Sequence, residues 1–129
     1  MNALEQAVQL AIDTKGEQKA VNKAYLEFIK ANFMIPIERE DDESLAPKVL
    51  FLEEGNTCFL PVFSSQPYFD VWAEDIKDAI AVLKLSGVDL LKGVGDGVEV
   101  ALNIGSPYQK IFHSAEIERM RSMVLKIFK

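Results

Sequence analysis

The sequence predicts an α+β domain with a mixed, mainly antiparallel sheet of about five strands, packed by helices from both ends of the chain. Apolar residues recur at helical spacing before residue 31 and again after residue 114. Between these segments lie short apolar runs interrupted by Gly, Pro and Asn, a pattern typical of strands and turns. Because the strands cluster in the middle without strict βαβ alternation, the α+β class is favoured over α/β.

Residues 1–31 form the predicted helical N-terminal part, with two amphipathic helices. The apolar face of the first helix is Leu4, Ala7, Val8, Ala11 and Ile12, and Gly16 is its expected stop. The apolar face of the second helix is Val21, Ala24, Tyr25, Phe28 and Ile29. Each face must be buried against another element, so we expect both helices to pack on the sheet.

The first half of the sheet is predicted from three apolar runs, at 33–37, 48–52 and 58–63. Pro36 cannot donate a ladder hydrogen bond, so we expect its strand at an edge or bulged. The run at 58–63 is apolar throughout and is expected to be central and covered on both faces, with a bulge or strand end at Pro61. Gly55 and Asn56 tolerate positive φ and predict a hairpin turn over residues 54–57.

The second half alternates short helices and strands. Ser64 or Ser65 is expected to cap a helix with Pro67 in its first turn. Further strands are predicted at 79–85 (with a helix as the alternative), 98–103 and 109–112. Ser86 is expected to cap a short helix, and Ser114 the last one. The expected buried stripe of that last helix is Ile117, Met120, Val124, Ile127 and Phe128.

Length and charge limit the classes of function. The 129 residues suit a single domain over residues 1–129. The net charge of -6 disfavours binding to nucleic acid or to an anionic membrane. There is one cysteine, no secretory signal and no membrane-spanning run, so we expect a cytoplasmic protein. We expect a protein partner and leave homodimerisation open.

Several stretches match the pattern of one known family, namely Tyr25 to Pro36, Phe59 to Ser65, Trp72, Val88 to Leu91, Leu102 to Ser106 and Ser114 to Ile117. As a set they resemble the N-terminal domain of the SseB (enhanced serine sensitivity) proteins. Together they cover roughly residues 17–129. Ile104 stands where the family's Asn-Pro-Gly loop usually has proline. The resemblance implies the fold and a link to serine or amino-acid metabolism, and it supplies no catalytic residue, cofactor or substrate.

Three patterns invite a chemical interpretation, and each has a stronger structural one. Gly93, Gly95 and Gly97 precede a strand rather than a helix and indicate a turn instead of a phosphate loop. The acidic run 38–43 lacks calcium-loop spacing and indicates a solvated loop. Cys58 lies in an apolar strand, where a thiol is expected to be buried and inert, and His113 lies at a helix entry, so a Cys–His nucleophile pair is not expected.

The best candidate for a binding surface combines a helix with a loop. Tyr68 and Trp72 share one helical face, and Asn103, Gly105 and Ser106 lie in the loop after a strand. Core packing is the favoured interpretation of the aromatic residues, and aromatic residues are also typical of interface hot spots. Exposed N–H groups in the loop could bind an anion, although a simple chain reversal is favoured.

These observations favour a non-catalytic binding or regulatory module without cofactor or metal. A first alternative is a small acidic chaperone-like protein for a secreted partner, suggested by its size, low pI and amphipathic N-terminal helices. A second alternative is an enzyme that uses carboxylates such as Asp89, Asp96 or Glu99, although the sequence pairs no two of them.

Overall fold

The computed structural model describes residues 2–39 and 48–127. In these ranges the helices are α1 (Ala3–Asp13), α2 (Gln18–Lys30), α3 (Gln66–Ala73), α4 (Gly87–Gly93) and α5 (Ser114–Ile127). The strands are β1 (Asn32–Glu38), β2 (Leu52–Glu54), β3 (Thr57–Val62), β4 (Ile80–Ser86), β5 (Val98–Leu102) and β6 (Lys110–Phe112). The α+β class is confirmed, with six strands in the described residues where about five were expected.

The strands form two hydrogen-bonded ladders in two sheets, where a single sheet was expected. β1 pairs with β4, and the other four strands lie in the order β2-β3-β5-β6. The β3–β5 pair is parallel and the other pairs are antiparallel, so the sheet is mixed and mainly antiparallel as predicted. Single bridges between Met34 and Phe63 and between Ile37 and Val49 join the two ladders.

Both strand prolines face the junction between the ladders. The Pro36 carbonyl accepts from the Leu50 N–H (3.1 Å), so the missing donor of Pro36 also points away from β4. The backbone groups of Phe63 bond to Met34 of β1. Those of Pro61, two residues earlier, point in the same direction, beyond Phe59, where the pairing of β3 with β2 ends. Ladder bonds are already interrupted along this junction, so neither proline removes a bond from β4 or β5. The expected bulge or strand end at Pro61 needs correction, because β3 continues to Val62 and Pro61 pairs with Ala101 of β5.

The sheet separates two apolar clusters. On one face the buried residues of α1, α2, α4 and α5 pack against β1, β3, β5 and β6 and form the main cluster. Its aromatic centre is Phe28, whose ring centroid lies 4.6 Å from that of Phe33 and 4.9 Å from that of Phe112. On the other face α3 packs over the smaller α3 cluster, whose buried members are Phe63, Phe69, Ala73 and Ile80.

Several local predictions need correction. The second strand is Leu52–Glu54, because residues 48–50 contact β1 only through isolated hydrogen bonds. Ile12 is 45 % exposed and lies outside the buried face of α1, one residue before the helix ends at Asp13. The last helix begins at Ser114 itself, and Glu116 accepts from the N–H of His113, which therefore occupies the cap position.

Two predictions fall partly outside the described residues. The acidic run 38–43 is described only at Glu38 and Arg39. In the predicted stripe of the last helix, Ile117, Met120 and Val124 are buried, which confirms that part. Phe128 and the side chain of Ile127 lie outside the described residues. No helix within the described ranges combines the length and apolar character needed to cross a membrane.

Candidate functional site

A cavity of about 400 Å³ lies between α3 and the loop that follows β5. We call it the aromatic groove. Its lining residues are Tyr68, Val71 and Trp72 from the helix and Ile104, Gly105, Ser106 and Pro107 from the loop. Four of the five residues proposed from the sequence as a binding surface therefore lie on one cavity, namely Tyr68, Trp72, Gly105 and Ser106. The fifth, Asn103, lies elsewhere.

The helical wall of the groove is positioned by burial of one side of α3. Ser65 is extended at the N-cap and Pro67 lies in the first turn, so the helix starts directly after β3. Phe69 is buried and packs edge-on against Phe63, with ring centroids 5.5 Å apart. Trp72 packs against the same Phe63 at 5.2 Å and is only half-buried. One side of the indole thus belongs to the core, which fixes it while its other side remains accessible.

Val71 was missed by the sequence analysis, although its spacing gave a signal. It lies at i+3 from Tyr68 and immediately before Trp72, so all three share one helical face. Its side chain is 73 % exposed, the largest exposure among the exposed large apolar residues in the described part of the chain. An apolar side chain that is this exposed beside a half-buried tryptophan is typical of a contact surface.

The loop wall is closed by its own hydrogen bonds. The Gly105 N–H donates to the Gln109 side-chain oxygen (2.9 Å), and the Ser106 N–H donates to the Asn103 carbonyl (3.0 Å). The Ser106 hydroxyl oxygen accepts from the Tyr108 N–H (3.1 Å). These N–H groups are therefore engaged within the loop, and the suggested anion-binding role of this segment is not supported by its geometry.

Asn103 is fully buried and joins the two walls. Its Oδ1 accepts from the Ser64 N–H (2.9 Å), and its Nδ2 donates to the Ser64 hydroxyl oxygen (2.8 Å). The Ser64 hydroxyl in turn donates to the buried Glu5 carboxylate (2.6 Å). The prediction that Asn103 belongs to the accessible surface therefore needs correction, because its side chain connects the end of β5 to the start of α3.

Tyr68 lies where this polar network meets the groove. Its ring packs at a tilt against that of Tyr108, with centroids 5.9 Å apart, and Tyr68 is half-buried. Burial raises the pKa of the Tyr68 hydroxyl, and the negative charge of Glu5 and the neighbouring Tyr108 raise it further. The hydroxyl is therefore a neutral hydrogen-bond group at physiological pH, and the groove itself presents no charged side chain among its lining residues.

Comparison with known proteins gives one assignment. The family model of the SseB protein N-terminal domain matches residues 4–119. The chain belongs to the SseB family. This match confirms the resemblance, and it begins earlier than the expected residue 17, so the SseB domain includes α1. No curated protein and no solved structure matches the chain significantly.

The SseB-family chain keeps its only cysteine and its only histidine on opposite faces of the sheet. Cys58 shares the face of Leu60, which lies in the main cluster, and is half-buried rather than fully buried. The His113 imidazole contacts the carboxylate of Glu99, which is adjacent to Val98 in β5 and therefore points to the other face. The sheet therefore lies between the imidazole and the thiol.

The three carboxylates considered for catalysis occupy separate environments. Asp89 is exposed in the first turn of α4, whose Ser86 hydroxyl oxygen accepts from the Asp89 N–H (3.1 Å). Asp96 is exposed, and its Oδ1 lies 3.8 Å from Nη1 of Arg121. The Glu99 carboxylate contacts the His113 imidazole. Within residues 2–39 and 48–127, no three side chains of His, Cys, Asp or Glu are grouped closely enough to hold a metal ion.

The glycine-rich segment borders a second cavity of about 320 Å³, shared with the first turn of α5. Arg121 is the basic residue in its lining, and it is already engaged. Its Nε donates to the Leu91 carbonyl (2.7 Å), and its other nitrogens contact the Val94 carbonyl and Glu118. The Arg121 side chain thus caps carbonyl groups at the end of α4 and links α5 to α4. This role agrees with the interpretation of the glycine-rich segment as a turn.

Proposed function

We propose that this SseB-family domain is a non-catalytic protein-binding module whose aromatic groove receives an apolar side chain of a protein partner. The observation that carries the proposal is the groove itself, a cavity of about 400 Å³. Exposed Val71 and half-buried Trp72 form its helical wall and face the loop. Aromatic residues held by the core on one side lose little entropy on binding, and such residues dominate the energy of protein interfaces.

The chemistry of the groove favours an apolar group over a small anion. The N–H groups of Gly105 and Ser106 are already bonded within the loop, and no basic side chain lines the cavity. An anion bound there would lose hydration without gaining charged donors, which is unfavourable. An aliphatic or aromatic side chain, in contrast, would displace water from Val71, Trp72 and Ile104 and gain hydrophobic free energy.

The charge of the chain favours a basic partner segment. Exposed acidic residues lie along α3 and the turns that follow it, namely Asp70, Glu74, Asp75 and Asp78, against one lysine, Lys77. The whole chain carries a net charge of -6. Complementary charge accelerates encounter and selects among partners, so we propose a partner segment with an apolar residue flanked by Lys or Arg.

The link to serine or amino-acid metabolism implied by the family would then act through the bound protein. A chaperone role has less support, because α1 and α2 bury Leu4, Val8, Ala24 and Phe28 in the domain's own main cluster. Helices that are committed in this way have no free apolar face of similar size for a client protein. A carboxylate enzyme has less support as well, since Asp89, Asp96 and Glu99 lie apart in the fold.

The single tryptophan makes the proposal directly testable. Trp72 fluorescence is followed while a capped peptide with a central leucine flanked by lysines is added. We expect a saturable change in emission, and we expect Val71→Asp to abolish it, since a carboxylate at this exposed position opposes apolar contact without disturbing the core. The matched control is Leu125→Asp, at another exposed apolar position on α5, which should bind as the unmodified protein does.

Two comparison titrations sharpen the result. The same peptide with glutamates in place of lysines should bind more weakly, and equal binding would contradict the assigned charge preference. Free serine and other amino acids should leave the emission unchanged, and a response to them would favour a metabolite sensor. A third peptide carries phenylalanine in place of the central leucine. If neither lysine-flanked peptide changes the Trp72 emission, the groove is not the binding site that we propose.

A further inference from the structure

A second interaction surface is provided by the outer edge of β4, on the opposite border of the β1–β4 ladder from the junction. Within the described residues β4 pairs with β1 alone. We propose that this edge pairs antiparallel with the same edge of a second copy of the chain, joining two sheets across a twofold axis at Leu83. The inference is independent of the aromatic groove, and either can fail without the other.

The β4 edge carries little of the protection that usually prevents strand addition. Its seven residues pair with β1 in continuous register from Asn32–Ser86 to Glu38–Ile80, without a bulge. The strand contains no proline, and Val82 is 36 % exposed. Its one charged side chain, Lys84, is a residue type that protects sheet edges. A single lysine on a regular edge of this length still permits a partner strand in a register that places it opposite an uncharged residue.

The backbone limits which residues can pair. The Ala79 carbonyl accepts from the backbone N–H of Arg39, directly after β1. The backbone N–H and C=O groups of odd-numbered residues in β4 therefore point toward β1, and those of even-numbered residues point toward the outer edge. The outward carbonyl of Ile80 already accepts two hydrogen bonds from the Arg39 guanidinium, at 3.0 and 3.2 Å. The outward groups of Val82 and Lys84 have no such partner among the described residues and remain available.

Only one symmetric register uses these two residues together. If Val82 pairs with Lys84 of the second copy, each pair exchanges two backbone hydrogen bonds, and Leu83 meets its own symmetry mate. A register shifted by one step in either direction places Lys84 opposite Lys84, or requires the occupied Ile80 carbonyl. Like charges that are directly opposite destabilise a sheet, so the Val82–Lys84 register is favoured.

The side chains of this register also match. Leu83 and Leu85 are half-buried at the border of the main cluster. Pairing would place Leu83 against Leu83 and Leu85 against Ala81 of the second copy, on the face that carries the main cluster. On the other face, Val82 would pack against the aliphatic part of Lys84, whose ammonium group stays in water. The two main clusters would then become continuous across the dimer.

Charge substitutions at this register provide the test, with sedimentation velocity over a range of protein concentrations as the measurement. The unmodified chain should dimerise. Val82→Lys places two lysines opposite each other at both symmetry-related pairs and should weaken the dimer about tenfold. The double variant Val82→Lys with Lys84→Glu restores opposite charges at the same pairs and should recover the affinity. Leu125→Lys adds the same charge on α5 and should leave the dimer unchanged.

Circular dichroism of each variant verifies that the monomer remains folded. The proposal is overturned if the unmodified chain stays monomeric at the highest concentration that remains in solution. It is equally overturned if a dimer forms but Val82→Lys has no effect, or if the double variant does not recover the affinity, since another surface or register would then be responsible.

Discussion

The two faces of the sheet bury their apolar residues to different extents. In the described part of the chain the main cluster holds 20 buried residues from four helices and four strands. The α3 cluster holds four, and the aromatic residues around them, Tyr68 and Trp72, are only half-buried. The close-packed main cluster has no space for a bound side chain of another molecule. The α3 cluster covers less of the sheet, so it leaves apolar surface exposed in a fixed position. The difference separates the face that stabilises the domain from the face that can bind.

The largest expected effect is the removal of an aromatic ring from each face. Phe28 is fully buried between Phe33 and Phe112, so Phe28→Ala should reduce the free energy of unfolding by about 3–5 kcal/mol. Phe69→Ala should cost less, about 2 kcal/mol, because Phe69 packs in the smaller α3 cluster, where its neighbour Trp72 is only half-buried. Urea denaturation measures both values, and equal costs would contradict the division into two unlike clusters.

The next effect concerns Asn103, which connects the two faces. Asn103→Ala leaves the partly buried Ser64 N–H and hydroxyl without their Asn103 partners and should cost about 2–3 kcal/mol. Asn103 also has a φ of 52°, which disfavours alanine but not glycine. Asn103→Gly should therefore be about 1 kcal/mol more stable than Asn103→Ala, although both lose the side chain. Equal stability of the two variants would show that the hydrogen bonds, and not the backbone conformation, dominate at this position.

The main cluster should also determine the response to acid. Glu116 accepts hydrogen bonds from the Tyr25 hydroxyl (2.7 Å) and the His113 N–H (3.1 Å). Burial raises the pKa of Glu116, but these bonds and Lys110 outweigh it, so the folded pKa lies below the ordinary value of 4.5. The carboxylate thus stabilises the fold fully above pH 4.5, and this contribution is lost as the pH falls through the folded pKa.

Tyr25→Phe should therefore reduce the free energy of unfolding at neutral pH by about 1 kcal/mol. It should also make the free energy of unfolding fall less steeply as the pH decreases. Denaturation curves recorded from neutral to acidic pH measure the change. Tyr68→Phe is the matched control on the other face, because Tyr68 makes no hydrogen bond to Glu116. An identical pH profile for both variants would contradict the assignment of the acid response to the Tyr25–Glu116 pair.

The smallest stability effect is expected at the groove. Val71 is 73 % exposed, so Val71→Asp should change the free energy of unfolding by no more than about 0.5 kcal/mol. Thermal denaturation, followed by circular dichroism, provides the measurement. A large loss of stability would mean that Val71 supports the α3 cluster, and the effect of this variant on peptide binding would then need a different explanation.

Much of this architecture is predictable because its causes are local. Helical spacing placed Leu4, Val8, Tyr25 and Phe28 on buried faces, and the structure confirms each of them. The hairpin turn at Gly55, where φ is 62°, follows from the residues that tolerate such backbone. Ile12 shows the limit of this reasoning, since periodicity cannot tell where a helix passes beyond the surface that covers it.

Other features depend on contacts between distant segments. The sequence by itself determined the class of fold, the order of its elements and four of the groove's lining residues, because propensity and periodicity act over a few positions. Only the tertiary structure decided that β3 lies parallel to β5 and that Asn103 bonds to Ser64, 39 residues away in the chain. Such pairings depend on which buried polar groups find partners once the strands have assembled, and no local pattern records that choice.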